Sequence, residues 1–63
     1  MPNSSEAYKR HLQGQIDTAR GQVALHTRRL ADSTDEGQKA ILRGTLQGAK
    51  NNLTNLESAL RNA

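Results

Sequence analysis

Between Leu42 and Leu60 the apolar residues fall at Leu42, Leu46, Ala49, Leu53, Leu56 and Leu60, in alternating steps of four and three. A strand presents the same face every two residues, so this spacing has meaning only on a helix, where it draws one narrow apolar seam. A seam of that width meets another helix. An earlier stretch supplies the partner, because Leu12, Ile16, Ala19, Val23, His26 and Leu30 keep the same rhythm. Tyr8 lies one turn before Leu12 on nearly the same line. The chain is therefore all-α.

Capping signals set the expected boundaries. Asn3-Ser-Ser-Glu6 reads as a capping box, in which Asn3 accepts from the first turn and Glu6 reaches back. Pro2 precedes it, where a missing N–H costs nothing. Ser33-Thr-Asp-Glu36 reads as a second box, with Asp35 and Glu36 placing negative charge where the helix dipole favours it. The expected layout is one helical hairpin domain over 1–63, with helix 1 at about 4–31, a turn at about 32–33 and helix 2 at about 34–61. Each helix is roughly 40 Å long at 1.5 Å per residue, and so short a turn makes the two antiparallel neighbours.

Size then limits how such a hairpin can be stabilised. At 63 residues, with 33% hydrophobic residues, one Tyr and no Phe, Trp or Cys, apolar burial barely offsets the entropy of ordering the chain. Small folds compensate with disulfides, metal or self-association. Disulfides and thiolate metal sites need Cys, and two histidines make a poor structural zinc site. Self-association remains, so a homodimer or higher homo-oligomer, in the simplest case a four-helix bundle, is expected. No cofactor is expected, and no small-molecule substrate. No run of about 20 apolar residues and no signal-peptide pattern appears, so neither a membrane partner nor export is expected. The lack of Cys fits the cytoplasm.

With the turn near Asp32–Ser33, facing residues should have numbers summing to about 65. Val23 then meets Leu42, Ala19 meets Leu46, Ile16 meets Ala49, Leu12 meets Leu53, and Tyr8 falls opposite Leu56 or Glu57. A turn near Asp35–Gly37 would raise the sum to about 72. The first register uses the Ser33 cap and gives Tyr8 a partner, so it is preferred. Ala24, Leu25, Ala40 and Ile41 then share one level near the turn.

In heptad letters, Ile16, Val23, Leu30, Leu46, Leu53 and Leu60 take position a. Leu12, Ala19, His26, Leu42, Ala49 and Leu56 take position d. In an antiparallel pair the e positions border one side of the seam and the g positions the other. The e side is basic: Arg20, Arg43 and Lys50 lie on it, Lys9, Lys39 and Arg61 lean toward it, and Glu57 dissents. The g side carries Gln15, Gln22, Gln38, Thr45, Asn52 and Ala59, with Arg29 its one charge. Ile41, Gly48 and Asn55 lie beside these residues, and neither Ile41 nor Leu25 has a place in the seam. Leu25, Ile41, Thr45, Gly48, Asn52 and Ala59 are thus the candidate surface for a second hairpin or a protein partner. Lys9, Arg20, Lys39, Arg43, Lys50 and Arg61 are the candidate face for an anionic partner.

Other candidates have plainer explanations. His26, at a core-facing position near Lys39, reads as a satisfied or half-exposed histidine, and His11 as solvated surface. Asp32, Asp35 and Glu36 lack the alternating ligands of a calcium loop, and capping accounts for them. Ser33 and Ser58 have no base poised by sequence, so no enzyme is expected. Gly14, Gly21, Gly44 and Gly48 sit inside helices, each costing up to about 1 kcal/mol against Ala. An echo at an offset of 30 aligns Leu12, Gly14, Ile16, Ala19, Arg20, Val23 and Leu30 with Leu42, Gly44, Leu46, Ala49, Lys50, Leu53 and Leu60. It admits either duplication or two seams obeying one heptad rule. The second is favoured, since only Gly14/Gly44 and Arg20/Lys50 lie outside the heptad.

The net charge is +3 and the pI about 10.0, a mild tilt toward anions. Against nucleic acid stands the near absence of aromatics that would stack on bases. In size and layout the chain resembles the Rop family of plasmid copy-number regulators, with two equal capped helices, a tight turn, and alanines alternating with larger aliphatics in the seam. The resemblance implies a hairpin dimer that binds paired RNA loops. It is one of layout and carries over no individual residue. The function expected is a small non-enzymatic regulator or adaptor acting by helix-mediated protein binding and self-association. The alternative is an RNA- or DNA-binding hairpin dimer using the basic face.

Overall fold

The computed structural model describes the backbone of residues 2–63 and the side chains of residues 6–63. Two helices, α1 (Pro2–Asp32) and α2 (Glu36–Arg61), are joined by residues 33–35 and pack against each other as a hairpin. The expected Asn3–Glu6 capping box falls on Asn3, whose side chain lies outside the described residues.

The turn differs from the expected one. Asp35, not Ser33, caps α2: its backbone is extended (φ −92, ψ 125) and its carboxylate accepts from the Gln38 N–H at 2.9 Å. The Lys39 N–H donates to the Asp35 carbonyl, also at 2.9 Å, as the first bond of the helix. Ser33 only turns its hydroxyl toward the Asp35 carbonyl at 3.5 Å. Four capping-type residues follow one another here, and the full negative charge of Asp35 is the strongest acceptor for the dipole. Gly37 keeps room for that arrangement, since a Cβ there would stand 3.3 Å from the Asp35 carboxylate. Helix 2 therefore begins at Glu36 rather than near Thr34.

With the turn at 33–35 rather than 32–33, the register lies one heptad further on. The Arg20 guanidinium stands 3.6 Å from the Glu57 carboxylate. In the expected register these residues would be about 18 Å apart along the axis, beyond reach. Facing numbers instead sum to about 72, which sets Ile16 opposite Leu56, Ala19 opposite Leu53, Val23 opposite Ala49 and His26 opposite Leu46. A heptad seam slid by seven restores its own layers, so the local pattern could not choose between the two registers. In both, each alanine meets a larger aliphatic and lets the backbones approach. Two expectations fall with the change. Tyr8 does not face Leu56 or Glu57, because this register carries it past the last turn of α2, and it is 50% exposed. Leu25 and Ile41 do not share a level but stand about 9 Å apart along the axis.

The buried core consists of Leu12, Ile16, Ala19 and Leu46, with Ile16 only 1% exposed. The other seam residues of the turn half, Val23, His26, Leu30 and Leu42, are half-buried. His26 is half-buried, the second of the two states expected of it, and its Nδ1 is buried with no hydrogen-bond partner. The molecule measures 51 × 14 × 11 Å with a radius of gyration of 14.9 Å, against about 10.6 Å for a compact domain of this length. It exposes 4638 Å², where a compact monomer of its mass exposes about 4,000 Å². Among the described residues, no helix is long and apolar enough to cross a membrane.

Candidate interaction surface

The two sides of the seam are built from different residues, as the heptad assigns them. On the e side, Arg20 pairs with Glu57 across the helices, and Lys39 reaches Glu36 one turn back at 3.5 Å. Arg43 and Lys50, one heptad apart on α2, are exposed, as is Arg61 in its last turn; Lys9 is half-buried. These six cations are spread along the whole hairpin rather than gathered. Arg20 and Lys39, two of the six, are engaged with carboxylates.

On the g side the helices part to leave a shallow groove of about 510 Å³. Buried Ala19 and half-buried Leu56 supply its apolar floor, and the amides of Gln15, Gln22 and Asn52 line it. Arg10, His11, Gly14 and Thr18 complete the wall contributed by α1. The Thr18 hydroxyl donates to the Gly14 carbonyl at 3.2 Å, and that of Thr45 to the Ile41 carbonyl at 3.2 Å. Each hydroxyl is thus satisfied within its own helix and leaves a methyl group for an approaching surface. The groove offers amides that can donate or accept, small side chains, and one charge, Arg10.

Of the residues expected to form a partner surface, Leu25, Ile41, Thr45, Gly48 and Asn52 are exposed and Ala59 is half-buried. Asn52 lines the groove; Leu25 and Ile41 lie beyond it toward the turn. Leu25 is 41% exposed and Ile41 65% exposed. With Tyr8 they are the exposed large hydrophobics among the described residues, and all three occupy g or c positions, on the groove's side. The expected surface drew mostly on α2 and missed the α1 wall. The available signal was the c positions His11 and Thr18, which flank the g residues just as Gly48 does on α2. His11, read as plain solvated surface, is exposed but lines this groove.

The hairpin's own packing gives no reason for the mid-helix glycines. A Cβ built on Gly14, Gly21, Gly44 or Gly48 meets nothing within 4 Å. Among the described residues, no three side chains that bind metals converge. His11 and His26 are about 22 Å apart along α1. No protein-family model matches this chain, and no curated protein or solved structure matches it either.

Proposed function

We propose that the chain is a small non-enzymatic regulator or adaptor that acts through helix-mediated protein binding on its g side and that self-associates, two hairpins making a four-helix bundle. The observation that carries this reading is the placement of Tyr8, Leu25 and Ile41 on one side, around a groove lined by neutral amides. Apolar groups gathered on one side of so thin a molecule support an interface there. The hairpin's area, in excess of what a compact monomer exposes, supports it as well.

The other reading, an RNA- or DNA-binding dimer, would use the basic side. Arg20 and Lys39 are engaged with carboxylates there, so it rests mainly on Arg43, Lys50 and Arg61. Sedimentation velocity across a concentration series tests self-association; a folded monomer up to high micromolar concentration refutes it. Fluorescence polarisation with RNA and DNA at two salt concentrations tests the second reading. Binding that weakens steeply with salt and is lost in Arg43→Glu with Lys50→Glu would replace the adaptor reading.

A further inference from the structure

The groove on the g side has a length, a shape and a charge, and together they narrow what can occupy it. Its α1 wall runs from Arg10 to Gln22, about 18 Å or roughly three helical turns. Tyr8 stands just before that wall and Leu25 just after it, both exposed, so large apolar groups bracket about 26 Å of α1. Between them the surface is small-sided. A Cβ on Gly14 would meet nothing within 4 Å. One turn on, the Thr18 hydroxyl is held by the Gly14 carbonyl, which leaves the methyl for an approaching surface. A small middle between large ends is a saddle that a convex helix, about 10 Å across, can enter.

The polar groups of the groove are not engaged elsewhere. Away from it, amides bond within their own helix: Gln13 donates to Asp17 at 3.1 Å and Gln47 to Asn51 at 3.0 Å. Among the described residues, the side chains of Gln15, Gln22 and Asn52 make no such bond, and Arg10 pairs with no carboxylate. Arg10 lines the groove and Arg29 holds a g position farther along α1, both exposed cations; the carboxylate on this side, Asp32, comes only at the turn.

We infer that this groove docks one amphipathic helix of a partner protein, with acidic residues over Arg10 and small or apolar residues against Gly14, Thr18 and Leu56. This rests on the helix-mediated binding proposed above and names the partner's chemistry. Helices seated in grooves are held by anchors three and four residues apart, and Tyr8 and Leu25 offer contacts at the two ends of such a stripe. An acidic helix answers features that a neutral one would leave idle. It gives Arg10 its missing carboxylate, and the net charge of +3 draws it to the chain. The free amides can donate to or accept from polar groups along its edge.

The probes are three helical peptides of about 17 residues, the length from Tyr8 to Leu25. They share one stripe of Leu and Ala and differ only in carrying Glu, Gln or Lys on the polar face. Binding is read by fluorescence polarisation at a concentration where the chain is monomeric, since a second copy would occupy the same side. The Glu peptide should bind about tenfold tighter than the Lys peptide at low salt, with the Gln peptide between them. Amide shifts in the isotope-labelled chain should gather at Gln15, Thr18, Gln22 and Asn52. Arg10→Glu should narrow the preference about threefold more than Arg43→Glu, which changes the net charge as much on the other side. Three peptides that bind alike overturn the acidic partner and leave helix docking standing, whereas no binding by any of them overturns both. Shifts gathered at Arg43 and Lys50 instead overturn the groove as the seat. A single-stranded RNA that shifts the groove amides and binds tighter than the Glu peptide overturns the inference as well.

Discussion

The two sides of one seam are bordered by the same number of heptad positions, yet they have become different surfaces. The e side is charged and quenches part of its own charge, with Arg20 on Glu57 and Lys39 on Glu36. Exposed pairs of this sort contribute little to stability, and water satisfies them as well as a partner would. The g side carries amides, threonines whose hydroxyls turn back on their own helices, and three exposed large hydrophobics. Water serves that side poorly. The difference teaches that the seam decides how the helices meet, while the residues flanking it decide what the hairpin meets next.

The largest effect should come from breaking the platform both sides share. Ile16→Ala removes the most buried side chain and should cost about 3 kcal/mol in urea unfolding. Ile41→Ala, at a concentration where the chain is monomeric, should change stability by less than about 0.5 kcal/mol. Equal costs would mean that Ile41 belongs to the core and that the g side is not a free surface. Next comes the contrast between the sides. Leu25→Ser with Ile41→Ser should weaken self-association about tenfold or more, roughly 1.4 kcal/mol. Arg43→Glu with Lys50→Glu should alter it less than about twofold, by sedimentation equilibrium, because those residues lie on the other side.

The turn sets the register for both sides, and Asp35→Ala should lower stability by about 1 kcal/mol in thermal unfolding through loss of the cap. Glycines should then separate outward positions from those on the groove's side. Gly44→Ala should stabilise the hairpin by about 0.5–1 kcal/mol, since the new methyl meets open space. Gly48→Ala should gain as much in the monomer but loosen the dimer, and equal effects on association would remove Gly48 from the interface. The smallest effect belongs to the e side. A double-mutant cycle on Arg20 and Glu57 should give a coupling below about 0.5 kcal/mol that fades in high salt.

Much of this molecule is readable one residue at a time, but not all of it. The helical periods of both segments, the side to which Gln15, Gln22 and Asn52 belong, and the exposure of Leu25 and Ile41 follow from spacing alone. The α1 wall of the groove was harder to see, because His11 and Thr18 carry no apolar signal and become part of a surface only when Leu56 and Asn52 arrive beside them. Which of the two states expected of His26 it takes, satisfied or half-exposed, was hidden for a related reason. Its d position says that it faces the seam, but no local pattern says that the seam offers its Nδ1 no acceptor or donor.

The sequence by itself determined the all-α fold, the two seams and the opposite characters of the two sides, because each is a consequence of helical period and side-chain chemistry. Only the tertiary structure decided which residues face each other. A seam with a seven-residue repeat is satisfied equally by registers one heptad apart, and the choice passed to a cap among four adjacent candidates. The carboxylate of Asp35 took that role, and the slip it imposed carried Tyr8 past the end of α2.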